Sequence, residues 1–514
     1  MLPLQLQPQS HIPLYVQIRD QLKALVHNGA LRPGDRIPAS RELATQLGVH
    51  RTTVANAYAE LESEGLIRGH VGRGTFIQDN GELKLSPAPP VLGNGGGVRW
   101  ETLFADERGE ESLSRLCQAD TADVQISFAV AKPPSEMFPV EEFRACCNAV
   151  LKGEGARILQ LGSSDGYAPF KEELEEMLRG EGILGKDDKV LVTGGGQQSI
   201  DLVCKAFLRP GDSVAMENPA YPGAIASFTG AHVRLLGVPV HATTPMGGHA
   251  GLDMDILESV LLQNRVKLIL VTPDFQNPTG TTLPVAARRR LLEIATRYQV
   301  PIIEDHIYAR LRGGNGRIPS LKAMDRNGVV IQVDSISKVL FPGLRVGWCV
   351  GPAKVIERLR LVKQVTDLHT DQLAQAALAE FMRRGHLKKH LSRMRTAFAR
   401  KLSVLEEALA KYMPAGVEWT RPGGGMCMWV TLPPGLDSSE LLIHVRERGV
   451  LFSPGRFFYF QHPSPNTLRL SFSSLEERQI VRGVIGLADT LKAEMRKRLR
   501  GAPREVRPAL ALTV

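Results

Sequence analysis

The residues with the most chemical potential lie in one stretch, DSISKVLFPGLRVGW. There Lys338 follows the end of an apolar run, Ser335 and Ser337 precede it, and Arg345 comes seven residues later. An amine at a strand end is a candidate to condense with a carbonyl, while two hydroxyls and a guanidinium suit a phosphate dianion. A second run, IIEDHIY, carries Asp305 at the strand end and Tyr308 three residues on. A carboxylate there can hold a ring nitrogen protonated, and the phenol can reach an oxygen on the same ring. Asn277 in QNPTG can donate to that oxygen as well, and Tyr221 in ENPAYPG stands in a loop after a strand, where an aromatic can stack on a ring. Gly195, Gly196 and Gln197 in VLVTGGGQQSIDL turn a strand into a helix, so backbone N–H groups and the helix N-terminus favour a phosphate. This turn matches neither the phosphate-loop lysine motif nor the dinucleotide fingerprint.

Together these groups meet the four demands of pyridoxal 5'-phosphate: an amine for its aldehyde, an acid beside its pyridine nitrogen, donors for its phenolate oxygen and a cradle for its phosphate. The motifs and their order resemble the fold-type I aminotransferases over about residues 125–491. The resemblance implies Lys338 as the catalytic lysine that bonds the cofactor, Asp305 as the pyridinium partner, and Asn277 and Tyr308 as phenolate contacts. It also implies Arg469 in NTLRLSFS as the receptor of a substrate carboxylate. His306 departs from that family, which more often has an acidic or small residue there.

The elements that must position these residues are strands of four to seven apolar residues alternating with helix-length amphipathic stretches, which predicts an α/β sheet. Strands are expected at Val190–Thr193, Val214–Glu217, Leu268–Thr272, Ile302–Asp305 and Val329–Asp334, with helices such as Gln198–Leu208 and Val285–Tyr298 between them. The pattern turns helical after about Val355. Strand-like segments at Gly416–Leu432 and Thr467–Ser473 then predict a small C-terminal α+β subdomain. The chemistry-bearing residues fall mostly at or just after strand C-terminal ends, where open α/β sheets bind ligands.

Ahead of a segment rich in Pro, Gly and charge (SPAPPVLGNGGG, DERGEE) lies a compact stretch of different character. Leu14, Ile18, Leu22 and Leu25 predict one helix. Ser40 is expected to cap a second, with Glu42 at its positive end and Gly48 closing it, and a third carries Val54, Tyr58 and Leu61 on one face. LIRGHVGRGTFI then alternates around Gly72-Arg73-Gly74 and predicts a hairpin. This is a helix-turn-helix with a wing, in which Arg51 and two hydroxyls can reach bases and phosphates and Arg73 can approach the backbone or minor groove. Through PLYVQI, LRPGDRIPASRELATQLGV, RTTV, LESEGLI and GRGTFI it resembles the winged helix-turn-helix of GntR-type bacterial regulators. The resemblance implies that Arg41, Arg51, Thr52, Thr53 and Gly72 contact DNA. His50 stands where that family usually has a serine or threonine cap.

Hydrophobic content of 43% and charged content of 23% exclude wholesale disorder, and no apolar run is long enough for a membrane span, so a cytoplasmic protein is expected. Six cysteines without CxxC spacing are expected to be reduced. The charge of +9 is thinly spread: residues 1–78 hold 8 Lys+Arg against 6 Asp+Glu, and residues 492–514 hold 7 against 2. His386 and His390 stand one helical turn apart but lack a third ligand nearby, so no metal is expected. The expected division is a winged helix-turn-helix at 1–78, a linker at 79–121, an aminotransferase-like domain at 122–491 and a basic tail at 492–514. A winged helix fused ahead of such a domain resembles the MocR subgroup of GntR regulators. The resemblance implies a homodimeric, pyridoxal phosphate-dependent transcription factor that binds an operator and senses an amino acid, an amine or the cofactor itself. The alternative is an active aminotransferase with an appended DNA-binding domain.

Overall fold

The structure is a computed structural model, and it describes residues 4, 6, 13–27, 31, 34–63, 66–70, 74–78, 124–241, 251–313, 316 and 318–499. The chain divides into two compact units, Met1–Phe104 and Ala105–Val514.

In the first unit, helices α1 (Leu14–His27), α2 (Ser40–Leu47) and α3 (Arg51–Ser63) accompany strands β1 (Arg36–Ile37), β2 (Ile67–His70) and β3 (Gly74–Ile77). The apolar stripes enclose one core of Ile18, Leu22, Leu43, Val54, Ala57, Tyr58 and Leu61, closed by Ile37, Ile67 and Ile77 from the strands. β3 pairs antiparallel with β1 and β2, in a register that sets His70 opposite Gly74. Ser40 is the first residue of α2 and not its cap: the N-cap is Ala39, whose N–H donates to Glu42 at 3.2 Å. Gly48 closes the helix in the left-handed conformation (φ 66°), where a side chain would be strained.

In the second unit, β4 (Ile126–Ser127) is followed by eight strands of a central sheet: β5 (Asp188–Thr193), β6 (Ser213–Asn218), β7 (Arg234–His241), β8 (Gly251–Leu252), β9 (Val266–Val271), β10 (Ile302–Asp305), β11 (Val330–Ser335) and β12 (Gly347–Pro352). Their order is β5-β12-β11-β10-β9-β6-β7-β8. β6, β7, β9, β10 and β11 run parallel, whereas β12 is antiparallel to both β11 and β5. The inner strands are buried along nearly their whole length, which explains their continuous apolar runs. β13 (Glu418–Trp419), β14 (Cys427–Thr431), β15 (Val450–Leu451), β16 (Ser453–Pro454) and β17 (Thr467–Ser471) follow; β13, β14, β17 and β16 form a four-stranded antiparallel sheet, while β15 pairs with β4. The helices His386–Tyr412 and Glu477–Leu499 pack against each other, so the first residues of the basic tail are helical; those after Leu499 lie outside the described residues. The expected linker lies outside them too. Among the described residues no helix is long and apolar enough to cross a membrane.

Candidate functional site

The parallel strands bring their C-terminal ends to one edge of the central sheet, and the chain leaves that edge at β5, β6, β9, β10 and β11 through the segments holding Gly195, Tyr221, Asn277, Asp305 and Lys338. Because β12 is antiparallel, Arg345, just before it, reaches the same edge. Lys338 ends a short 3-10 turn, Ile336–Lys338, and its Nζ donates to the carbonyl of Ala131 at 2.9 Å. Burial pushes its pKa below the ordinary lysine value; Cys427 and Asp305 oppose that shift, whereas Arg469 and Arg345 reinforce it. A lysine held this way has a larger neutral, nucleophilic fraction.

Asp305 is buried, and burial raises its pKa to about 6 against the pull of the Ile307 N–H, which it accepts at 3.2 Å. Tyr308 and Asn277 are also buried, and Asn277 Nδ2 lies 3.5 Å from the Tyr308 hydroxyl. Asn277 Oδ1 accepts from Arg469 Nη1 at 2.9 Å, which ties the central sheet to β17. Arg469 Nη2 donates to the carbonyl of Ala129 and to Ser453 Oγ, and its guanidinium stands 4.8 Å over the ring of Phe458. Its Nε is buried without a partner, an open donor on a desolvated cation.

A second cluster of donors lies beside the lysine. Ser335 Oγ donates its one proton to the Val346 carbonyl at 2.9 Å, which leaves it to accept from Ser337 Oγ at 2.9 Å and from the Ser337 N–H at 3.1 Å. Arg345 adopts a left-handed backbone (φ 51°), and its side chain reaches Ser337 Oγ at 3.5 Å and the Gly194 carbonyl at 3.2 Å. Gly195 has φ 100° and caps the helix Gly196–Phe207; a Cβ there would sit 2.8 Å from Arg345 Nη2, and one on Gly196 would sit 2.6 Å from Ile307 Cδ1. Both glycines therefore keep the backbone close to these side chains, with the first N–H groups of the helix facing no intrahelical acceptor. The Gln197 side chain turns away to Gly223 and Ser227 (both 2.8 Å), so only its backbone belongs to this cluster. Tyr221 is half-buried at the start of the helix Pro222–Gly230, with its ring against Gly223.

This donor set fits pyridoxal phosphate. Hydroxyls, N–H groups and a guanidinium make a cradle for a dianion, a buried carboxylate waits for a cationic N–H, and a desolvated amine stands between them.

Several contributors carried no sequence signal. The carbonyls of Ala129 and Ala131 are backbone acceptors more than 200 residues from the side chains they hold. Cys427, buried on β14, is coupled to Lys338 and Tyr308, and burial pushes its thiol pKa up against the pull of Arg469 and Lys338. Glu217, at the end of β6, is buried beside Gln276. His390 is a core residue whose Nε2 donates to the Val339 carbonyl at 2.8 Å while its Nδ1 is buried without a partner, and His386 packs on Phe381. Five cysteines are free thiols, four of them buried; Cys117 lies outside the described residues.

In the first unit, Arg51 and Thr52 are exposed on the first turn of α3, Thr53 is half-buried, and Arg41 is exposed on α2. Gly72 and Arg73 lie outside the described residues. His50 supplies the cap that a hydroxyl residue would: its Nδ1 lies 2.8 Å from Thr52 Oγ1 and accepts from the Thr52 N–H at 3.4 Å.

Residues 124–485 match the family Aminotransferase class I and II, and residues 14–77 match Bacterial regulatory proteins, gntR family. The chain is 34% identical to aromatic-amino-acid aminotransferase 1 of Thermococcus litoralis, over 77% of this chain and 96% of that protein. It is 31% identical to the HTH-type transcriptional regulator TauR of Rhodobacter capsulatus, over 95% of this chain and 98% of that one. Among solved structures it is similar to LysN, the α-aminoadipate aminotransferase of Thermus thermophilus complexed with N-(5'-phosphopyridoxyl)-L-leucine. That match has 35% identity and a TM-score of 0.69, and covers 78% of this chain and all of that one.

Proposed function

Because the chain belongs to the aminotransferase class I and II family and carries a GntR-type DNA-binding unit ahead of it, we propose that it is a pyridoxal phosphate-dependent transcriptional regulator of the MocR kind, responding to an amino acid. One observation carries the regulatory reading: the likeness to TauR, a regulator, runs through both units and nearly the whole of each chain. Work on an operator is work in the cytoplasm. The division proposed is DNA binding by 1–78, a linker at 79–121, cofactor and effector binding by 122–491, and a basic tail from 492.

Lys338 is the residue to bond the cofactor aldehyde, and Ser335, Ser337, Arg345 and the backbone of Gly195, Gly196 and Gln197 are those to hold its phosphate. Asp305 faces the pyridine nitrogen in this reading, Asn277 and Tyr308 the phenolate oxygen, and Tyr221 the ring face. When bound, the cofactor supplies a carbonyl for a primary amine and an electron sink. Arg469, with a buried and unpartnered Nε, is suited to a carboxylate, so the effector carries both an amine and a carboxylate. DNA contacts come from Arg41, Arg51, Thr52, Thr53, Gly72 and Arg73.

An apolar surface supports a homodimer. Leu361 and Val365 on the helix Ala353–Asp367, and Leu368 directly after it, have exposures of 45%, 86% and 60%. Leu161, 79% exposed, belongs to a loop joined to the same helix by the bond from Arg360 to Ser164 at 3.3 Å. Exposed apolar side chains of this kind suit a covering partner, and we take that partner to be a second copy.

A second reading, a working aminotransferase, is favoured by the completeness of the set around Lys338 and by the likeness to enzymes at similar identity. Absorption spectroscopy tests the first. Purified protein should carry a visible band that shifts with an amino acid, and Lys338→Ala should lose both the band and borohydride-fixed cofactor while still binding DNA. Covalent cofactor retained at another lysine overturns the site, and sustained transfer from an amino donor to a keto acid favours the enzyme.

A further inference from the structure

His306, unexplained by the sequence, finds its partner through strand register. β10 and β11 run parallel with Asp305 level with Val333, so the next residues, His306 and Asp334, come out side by side. His306 Nδ1 lies 3.1 Å from Asp334 Oδ2. Asp334 is fully buried, accepts the Ser335 N–H at 2.7 Å and is paired with Arg310. Arg310 in turn holds Glu181 at 2.7 Å and stacks over Trp348 at 5.4 Å.

We propose that His306 is a positioning residue. Held as an imidazolium by Asp334, it supplies the positive charge behind Asp305 that keeps this carboxylate ionised toward the ring nitrogen of the cofactor. The proposal rests on the cofactor reading above.

The charges around His306 come from every element packed on it. Asp334 stands on β11, Glu304 and Asp305 on β10, Arg310 on the turn after β10, and Asp274 after β9. Asp274 is already matched by Arg288 at 2.8 Å and by Arg312, and Arg310 is shared between Asp334 and Glu181. Glu304 accepts backbone N–H groups from Leu321 and Lys322 and an amide N–H from Gln332, with no cation in that set. The charged imidazole is therefore the cation these acids still call for. Burial opposes the charge on His306, but the bond to Asp334, the charge of Asp334 and that of Glu304 outweigh it and raise its pKa. At Asp305, burial and Asp334 both raise the pKa, and His306 and Lys338 are the charges that oppose them. Without the imidazolium, Asp305 would keep the proton that the pyridine nitrogen is meant to hold.

The test uses the full chain loaded with pyridoxal phosphate and the variant His306→Asn, whose amide can still donate to Asp334 but carries no charge. The apparent pKa of the visible band should rise by about one pH unit, and the cofactor Kd should rise about tenfold, the equivalent of one unit. The melting temperature should stay near that of the wild type. A second measurement needs no altered site: the imidazole of His306, followed by nitrogen-15 NMR in the wild type, should be protonated at pH 7 and lose that proton in Asp334→Asn. A neutral His306 at pH 7, or a His306→Asn variant whose band pKa stays within about 0.3 unit and whose Kd stays within about twofold of the wild type, overturns the proposal while leaving the cofactor reading intact. A wild type that takes up no pyridoxal phosphate overturns both.

Discussion

Glu217 gives the second unit a stability that falls as pH rises. Its carboxyl is 3% exposed and accepts the Thr272 N–H at 3.1 Å and Gln276 Nε2 at 3.3 Å. Burial raises its pKa from the ordinary 4.5 to about 8; those two bonds pull the other way and the charge of Asp305 adds to the rise. A folded-state pKa above the unfolded one means that the folded protein binds the extra proton. The stabilising contribution is therefore complete below pH 4.5 and is lost as pH climbs through 8. At 1.36 kcal/mol per unit the full gap corresponds to about 5 kcal/mol, a ceiling, and coupling to Asp305 with local relaxation brings the expected effect to about 2–3 kcal/mol. Glu217→Gln keeps a carbonyl acceptor for both donors and removes the titration. In cofactor-free protein, denaturant unfolding of the second unit should give wild type and variant similar stability at pH 5. The variant should be the more stable by about 2–3 kcal/mol near pH 9. A difference that stays flat between pH 5 and 9 would refute the protonation of Glu217. A difference that moves against the variant would mean that its donors stabilise the ionised carboxylate.

Two further outcomes are expected. Arg51→Ala, at the exposed start of α3, should weaken operator binding and either lower the salt slope by about 1 or cost about 1–3 kcal/mol of sequence discrimination; unchanged affinity and slope in a fluorescence titration would remove Arg51 from the interface. Arg469→Lys replaces a planar fork by a point charge and should weaken an amino-acid effector by about 1.5–3 kcal/mol in a spectral titration while the cofactor band remains, and equal affinities would make Arg469 structural.

The fold was legible wherever a run of apolar residues ends in a turn. Ile302–Asp305 and Val285–Tyr298 stand where periodicity puts them, and β5, β6, β9 and β11 differ from expectation by a residue or two. β7 and β12 escaped for a local reason: RLLGVPVH and GWCVGP carry glycine and proline inside the strand, residues that normally interrupt one. Each lies one strand in from an edge of the central sheet. In β12, Gly347 has a positive role: a Cβ there would sit 2.7 Å from the Asp334 carbonyl and 2.8 Å from Gly195 Cα. The glycine that hid the strand from the sequence is the one that lets β12 approach the cofactor turn. The cap at Ser40 was misread by one residue for a similar reason. Glu42 reaches back to the Ala39 N–H, and a side chain from inside the helix replaces the one expected before it.

For the site, residue types were legible and partners were not. Lys338, Asp305, Asn277 and Arg345 announce themselves because strand ends concentrate the polar groups that a ligand meets, and that property is local in sequence. What tunes them is not local. The Lys338 amine is held by a carbonyl 207 residues away and Arg469 by one 340 residues away, and neither alanine differs in the sequence from any other. His306 and Asp334 were both visible as odd residues beside functional ones, yet 28 residues separate them and only the parallel register of β10 with β11 makes them neighbours. The partner of an unexplained polar residue directly after a buried strand is therefore best sought one step beyond the register partner of that strand's last residue, on the adjoining parallel strand. A desolvated charge there needs a counter-charge, and the sheet fixes where that counter-charge can stand.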